Sequence, residues 1–220
     1  MGERQPWWND ARLWLAPAAV VISIWSCFGN LDFWTWFFEI LLGLIGIVVL
    51  LATYRRFRFT SVVYAVVIVH YFVLAIGARY TYAEVPIGDW VRDAFDLSRN
   101  HFDRVGHFMQ GFTPALVGRE LLLRTSGLTR GWWLRFLLVC VSLAISAFYE
   151  LLEWWVAVVY YPEAGLEWLG HQGDPFDAQA DMLMAMLGAM VALLALERVQ
   201  DRQMKAAAQP SASSEPAGGH

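Results

Sequence analysis

Three stretches of the chain carry ionisable side chains at helical spacing where apolar runs begin or end. The first holds His101, Asp103, Arg104 and His107, with Gln110 following. Asp103, His107 and Gln110 are spaced four and three apart, so one helix face presents all of them. The second holds Tyr149, Glu150 and Glu153, and its two glutamates are three apart. The third runs Gly170-His171-Gln172-Gly173-Asp174-Pro175-Phe176-Asp177 and continues through Gln179 to Asp181, one turn beyond Asp177. Imidazole and carboxylate groups on neighbouring helices can enclose a divalent cation. Carboxylates suit Mg, Ca or Mn, and imidazole draws the preference toward Zn or Fe. A cation so held polarises water or a phosphoryl or acyl oxygen. The expected ligands are Asp103, His107, Glu150 and Asp177. Glu153 or Asp181 would act as base, and His101, Arg104 and Asp174 would support the site.

The same residues have plainer uses. Asp177 can cap the helix that follows it, where the helix dipole favours an acid. Arg104 can neutralise Asp103 or Glu150 in a structural ion pair. His171 can be a loop residue and no more. His70 and Glu39 stand alone within apolar runs, where such a histidine is expected to hydrogen-bond a neighbouring helix. No Gly-x-Ser-x-Gly nucleophile motif is present, and Lys205 is the one lysine, which argues against a Lys-dependent mechanism.

The elements that position these groups are membrane helices. Apolar residues make up 58% of the 220, and charged residues 16%, well below the roughly 25% of soluble domains. A net charge of -4 without a basic patch excludes a nucleic-acid partner. Runs of about 20 apolar residues cross the hydrocarbon core. The spacing predicts spans at 12–29, 33–53, 60–79, 132–159 and 178–197. A more polar one at 104–123 either crosses or forms a broken or re-entrant helix sheltered by its neighbours. The expected fold is therefore an all-α, polytopic membrane bundle of about six helices. One transmembrane domain covers 1–205, and a disordered tail covers 206–220. Arg and Lys fall on alternating connections: Arg4 and Arg12, then Arg55, Arg56 and Arg58, then Arg124, Arg130 and Arg135, then Arg198, Arg202 and Lys205. The positive-inside rule then places both termini in the cytoplasm. Arg92 and Arg99, in the 80–103 connection, break the pattern and are read as paired within a structured loop. Cys27 and Cys140 are expected to be buried free thiols near opposite faces. In this topology the three polar stretches meet at the outer face of the membrane.

Several segments also resemble a known family. Tyr80-Thr81-Tyr82-Ala83-Glu84-Val85-Pro86, Arg99-Asn100-His101-Phe102-Asp103-Arg104-Val105-Gly106-His107-Phe108, Ala147-Phe148-Tyr149-Glu150-Leu151-Leu152-Glu153-Trp154 and the stretch from Leu169 to Met182 are similar to YjdF-type bacterial inner-membrane proteins. The resemblance covers roughly residues 15–198. It implies a multi-pass protein of the bacterial inner membrane and brings no reaction with it. A more remote similarity is to VanZ-like proteins, linked to glycopeptide resistance. It rests on Asp103-Arg104-x-x-His107-Phe108, with Arg where that family has Lys, on Glu150 or Glu153, and on Asp177 or Asp181 with Gly188. It implies a shared helical core and polar cluster. Three functional readings follow. One is a metal-dependent, hydrolase-like site acting on a lipid-linked or envelope substrate. Another is a transporter or lipid-binding protein. The last is an accessory protein whose cluster only fastens helices.

Overall fold

A computed structural model of the chain describes residues 11–160 and 171–208. The expected N-terminal interface pair Trp7-Trp8, most of the loop at 160–176 and residues 209–220 of the tail lie outside the described residues. Within them the chain is all-helical: α1 (Leu15–Cys27), α2 (Phe33–Thr53), α3 (Ser61–Arg79), α4 (Pro86–Ala94), α5 (Phe102–Thr125), α6 (Trp132–Tyr160) and α7 (Asp177–Ala208), with short 3-10 turns at Ala11–Trp14 and His171–Gly173. Segments within or spanning α2, α3, α6 and α7 are long and apolar enough to cross a membrane, and α1 is a shorter apolar helix. The last helix runs through Ala208, so residues 206–208 continue it rather than begin the tail.

The bundle is turned outside in relative to a soluble protein. Trp34, Phe38, Leu42, Ile45, Val48 and Val49 on α2 are exposed, as are Phe148, Leu151 and Trp155 on α6. Such a surface is stable only against lipid, where it meets apolar chains instead of water. The interior holds a core of large apolar residues such as Ile47, Tyr54, Tyr71, Leu116 and Leu138, together with fully covered small residues (Ala75, Ala78, Ala115, Ala185, Ala189, Ala192) and covered polar ones (Asn100, Glu120, Asp181, Gln200). Both cysteines are free; Cys27 is half-buried, whereas Cys140 is exposed on α6, contrary to the buried position expected for it. An apolar run offers a thiol two apolar surroundings, the core and the lipid, and α6 turns Cys140 to the lipid.

The polar segment near 104–123 is unbroken. It is one continuous helix of 24 residues, α5, with Pro114 inside it. At 1.5 Å per residue its length is about 36 Å, enough to cross about 30 Å of hydrocarbon. α5 stands at the centre, packed along α7 and also against α6 and α3. α1, α2 and α3 form a second group, joined to the first mainly through the α3–α5 contact and also between α3 and α7. The α5–α7 crossing is close enough that backbone touches backbone. A Cβ at Gly111 would lie 1.7 Å from the Ala185 carbonyl oxygen, and one at Gly188 would lie 2.0 Å from that of Phe108. Only glycine permits this approach, as at the small-residue crossings of other membrane helices. It brings the polar ends of α5 and α7 into register.

Candidate functional site

At its N-terminal end α5 delivers Asp103, Arg104 and His107, and α7 delivers Asp177 and Asp181. One ligand atom each from Asp103, His107 and Asp181 lie within 4.8 Å of one another, a grouping that could hold a metal ion. The two nitrogens of His107 face different partners. Nε2 lies 3.5 Å from an Asp103 oxygen and 3.7 Å from Asp181 Oδ1. Nδ1 lies 3.0 Å from Gln110 Oε1 and 3.5 Å from Glu150 Oε1. Metal-binding histidines commonly show this division, with one nitrogen toward the ligand set and the other donating its hydrogen to an oxygen that fixes the ring. The Tyr149 ring packs edge-on against the imidazole at 5.9 Å between centroids.

A pair of arginines flanks the triad. Arg104 contacts Asp181 directly, bonds Asp177 at 2.7 Å and reaches Asp174 at 3.2 Å. Arg99, 5% exposed, bonds Asp177 at 2.8 Å. Asp177, expected as a ligand, therefore sits between two guanidiniums, and Asp181, expected as a base, stands beside His107. Asp174 also holds the entry to α7 by accepting the Phe176 backbone N–H at 2.9 Å. Glu153 lies exposed, one turn beyond Glu150. His101, at the N-cap position of α5, is half-buried beside Arg99 and Arg104; burial first and these two cations second lower its pKa. Arg92, the other arginine expected to be paired in its loop, bonds Asp89 and Asp93, all three within α4.

One acid deep in the bundle escapes a reading of local spacing. Glu39 of α2 accepts hydrogen bonds from Tyr149 at 2.9 Å and Tyr82 at 3.0 Å. It ties α2 to α6 directly behind His107. To deliver Tyr82, the backbone takes left-handed conformations at Thr81 and Tyr82, with φ of 53° and 57°. Each such residue costs roughly 1–3 kcal/mol and persists because its surroundings enforce it. Burial, and then the Glu39 charge, push the Tyr82 phenol well above its usual pKa, so it remains a donor. His70, expected to bond a neighbouring helix, has no hydrogen bond at Nε2 among the described residues.

The opposite end of α5 carries a second polar knot. The Glu120 carboxylate, 1% exposed, accepts from the Thr60 backbone N–H at 3.0 Å, the Thr60 hydroxyl at 2.7 Å and Arg124 at 2.8 Å. Arg119 donates to Gln200 at 3.0 Å and Asp201 at 2.8 Å on α7. The Arg119-Glu120 pair thus clasps α5 to α3 and α7.

A lipid-facing helical bundle with an ionisable cluster at each end of one central helix defines a polytopic helical membrane protein. The comparisons agree. The family model described as "Predicted membrane protein (DUF2238)" matches residues 11–202, and the chain belongs to that family. It is similar to "Inner membrane protein YjdF" of Escherichia coli (strain K12), with 42% identity over 185 residues covering 84% of this chain and 88% of the relative. The YjdF-type resemblance seen in the motifs therefore extends along the chain, and with it the location in the bacterial inner membrane. No solved structure matches.

Proposed function

We propose that this inner-membrane protein binds a divalent cation between the ends of α5 and α7, in a hydrolase-like site facing a lipid-linked or envelope substrate. Asp103, His107 and Asp181 are the ligands. The observation that carries the reading is the division of the imidazole, with Nε2 toward Asp103 and Asp181 and Nδ1 toward Gln110 and Glu150. A cation there would polarise a phosphoryl or acyl oxygen and lower the pKa of a bound water. Glu150, near the ring but on its other nitrogen, is placed to orient His107 rather than to ligate. The pair Arg99 and Arg104 adds positive charge beside the ligands, where an anionic headgroup or leaving group would be drawn.

One observation favours a second reading, in which the cluster is an ion-pair network. Arg104 already contacts Asp181 and stands 3.9 Å from Asp103, so its guanidinium supplies positive charge where a metal ion would. Elemental mass spectrometry on purified protein separates the two. The metal reading expects near-stoichiometric metal in wild type and in Glu153→Gln, and loss in well-folded Asp103→Asn and Asp181→Asn. Metal-free wild type, with both aspartate variants melting lower, would establish the network instead. Hydrolysis of lipid-linked phosphates by the metal-loaded protein then tests the reaction.

A further inference from the structure

At the membrane face opposite the Asp103–His107–Asp181 cluster, a small cavity of about 50 Å³ opens between α5, the start of α6 and α7. Arg119, Arg130 and Arg135 line it, with Glu197, Asp201 and Leu134. Pockets for drug-sized ligands run about 300–1,000 Å³. This one is several-fold smaller, with room for a single phosphate-sized group and not for a whole lipid.

Its charge is under-neutralised. A single oxygen of Asp201 serves both Arg119, at 2.8 Å, and Arg130, at 2.9 Å. Glu197 is taken by Arg135 through Nε at 3.0 Å and Nη2 at 2.6 Å. Three guanidiniums thus face two carboxylates. Arg130 uses only Nε in its bond to Asp201, and its terminal nitrogens remain for another acceptor among the described residues. Arg119 is 3% exposed at the side chain and forms the floor, while Arg130 and Arg135 are nearly half exposed and form the rim. The level of the rim is marked by Trp132 and Trp133, which adjoin it on the first turn of α6 and are 75% and 61% exposed. Exposed tryptophans of this kind sit among lipid headgroups. A planar guanidinium fork matches phosphate oxygens, and basic pockets between membrane helices recognise anionic headgroups.

We propose that this cavity binds the phosphate of an anionic phospholipid headgroup, with Arg130 and Arg135 as its contacts and Arg119 beneath. The site is separate from the metal site and does not depend on it.

The test titrates phosphatidylglycerol into the full-length protein in neutral detergent and counts bound lipid by native mass spectrometry. Phosphatidylcholine and inorganic phosphate run in parallel arms. The expected result is saturable binding of one phosphatidylglycerol in preference to phosphatidylcholine. In Arg130→Gln/Arg135→Gln the Kd rises about tenfold, equivalent to one lost charge-assisted hydrogen bond. Arg55→Gln/Arg56→Gln, exposed arginines outside the cavity, binds like wild type. The single variant Arg130→Gln gives up one half-exposed bond and serves if the double variant melts early. Unchanged Kd in the cavity variants would overturn the proposal. So would equal loss in the Arg55/Arg56 variant, which would mean general surface attraction. Inorganic phosphate binding as tightly as the lipid would assign the cavity to the free anion and overturn its assignment to lipid.

Discussion

Gly111→Ala adds one methyl group where α5 meets α7. The new Cβ would lie 1.7 Å from the Ala185 carbonyl oxygen, when approaches under about 3.0 Å are essentially never seen. The obstacle is backbone, so no rotamer change relieves it, and the helices must part by at least about 1 Å. Alanine gains about 1 kcal/mol over glycine in helix propensity. Overpacking costs about 1–3 kcal/mol, and a backbone clash belongs at the upper end. The net loss is about 2 kcal/mol, which for a chain of this size lowers Tm by about 4–8 °C. The effect reaches the site, because Gly111 is one turn from His107 and Ala185 one turn from Asp181. Metal–ligand distances tolerate about 0.2 Å. On the metal-site reading proposed above, the variant should therefore lose bound metal with Asp103, His107 and Asp181 all still present. The assay is a melting curve and metal content on the same sample, beside Gly46→Ala, whose Cβ meets nothing within 4 Å. A Gly111→Ala protein that melts at or above wild type would refute the close-crossing argument.

Two further outcomes follow. Glu120→Gln removes the charge that holds the Thr60 backbone, the Thr60 hydroxyl and Arg124 together; because the Arg124 side chain is 38% exposed, the cost is about 1–3 kcal/mol rather than that of a fully buried pair. A loss of Tm with unchanged metal content is expected from melting and elemental analysis, whereas a loss of metal would mean that the two ends of α5 are coupled. His101 has its pKa lowered by burial and by Arg99 and Arg104, with Asp174 and Asp177 opposing. Below the unfolded value, about 6.5, the unfolded chain binds a proton that the folded chain does not, so stability declines as pH falls and levels off below the folded pKa. Melting temperatures of wild type and His101→Gln between about pH 7.5 and 5.5 check this, and parallel curves would contradict it.

The bilayer class was legible because hydropathy reports directly on solvent: α2, α3, α6 and α7 are found where the apolar runs lie. The gathering of Asp103, His107 and Asp181 was legible because chain direction alone brings the start of α5 and the start of α7 to one face. Which acid faces which cation was not. Asp177 and Asp181 are one turn apart and chemically identical, and the reach of Arg99 to Asp177 and of His107 to Asp181 separates their roles. Nothing near Glu39 in α2 signals its tyrosines, which come 43 and 110 residues later. The continuity of α5 was obscured for a similar reason. Its polar residues lower its apparent fitness for a membrane, and their partners on α3 and α7 become visible only in three dimensions.

α5 also sets an order of assembly. It carries Asp103, Arg104, His107, Arg119 and Glu120, and ionisable groups cost about 2.5–3.5 kcal/mol each at the centre of an isolated membrane helix, less toward its ends. Its principal shelter, α7, leaves the ribosome more than 50 residues after α5 ends. Until then Arg119 has neither Gln200 nor Asp201, and Arg104 has neither Asp177 nor Asp181. The central helix must therefore wait, sheltered only by α3 and then α6, until α7 has been made. A chain that stops before residue 177 forfeits its middle as well as α7.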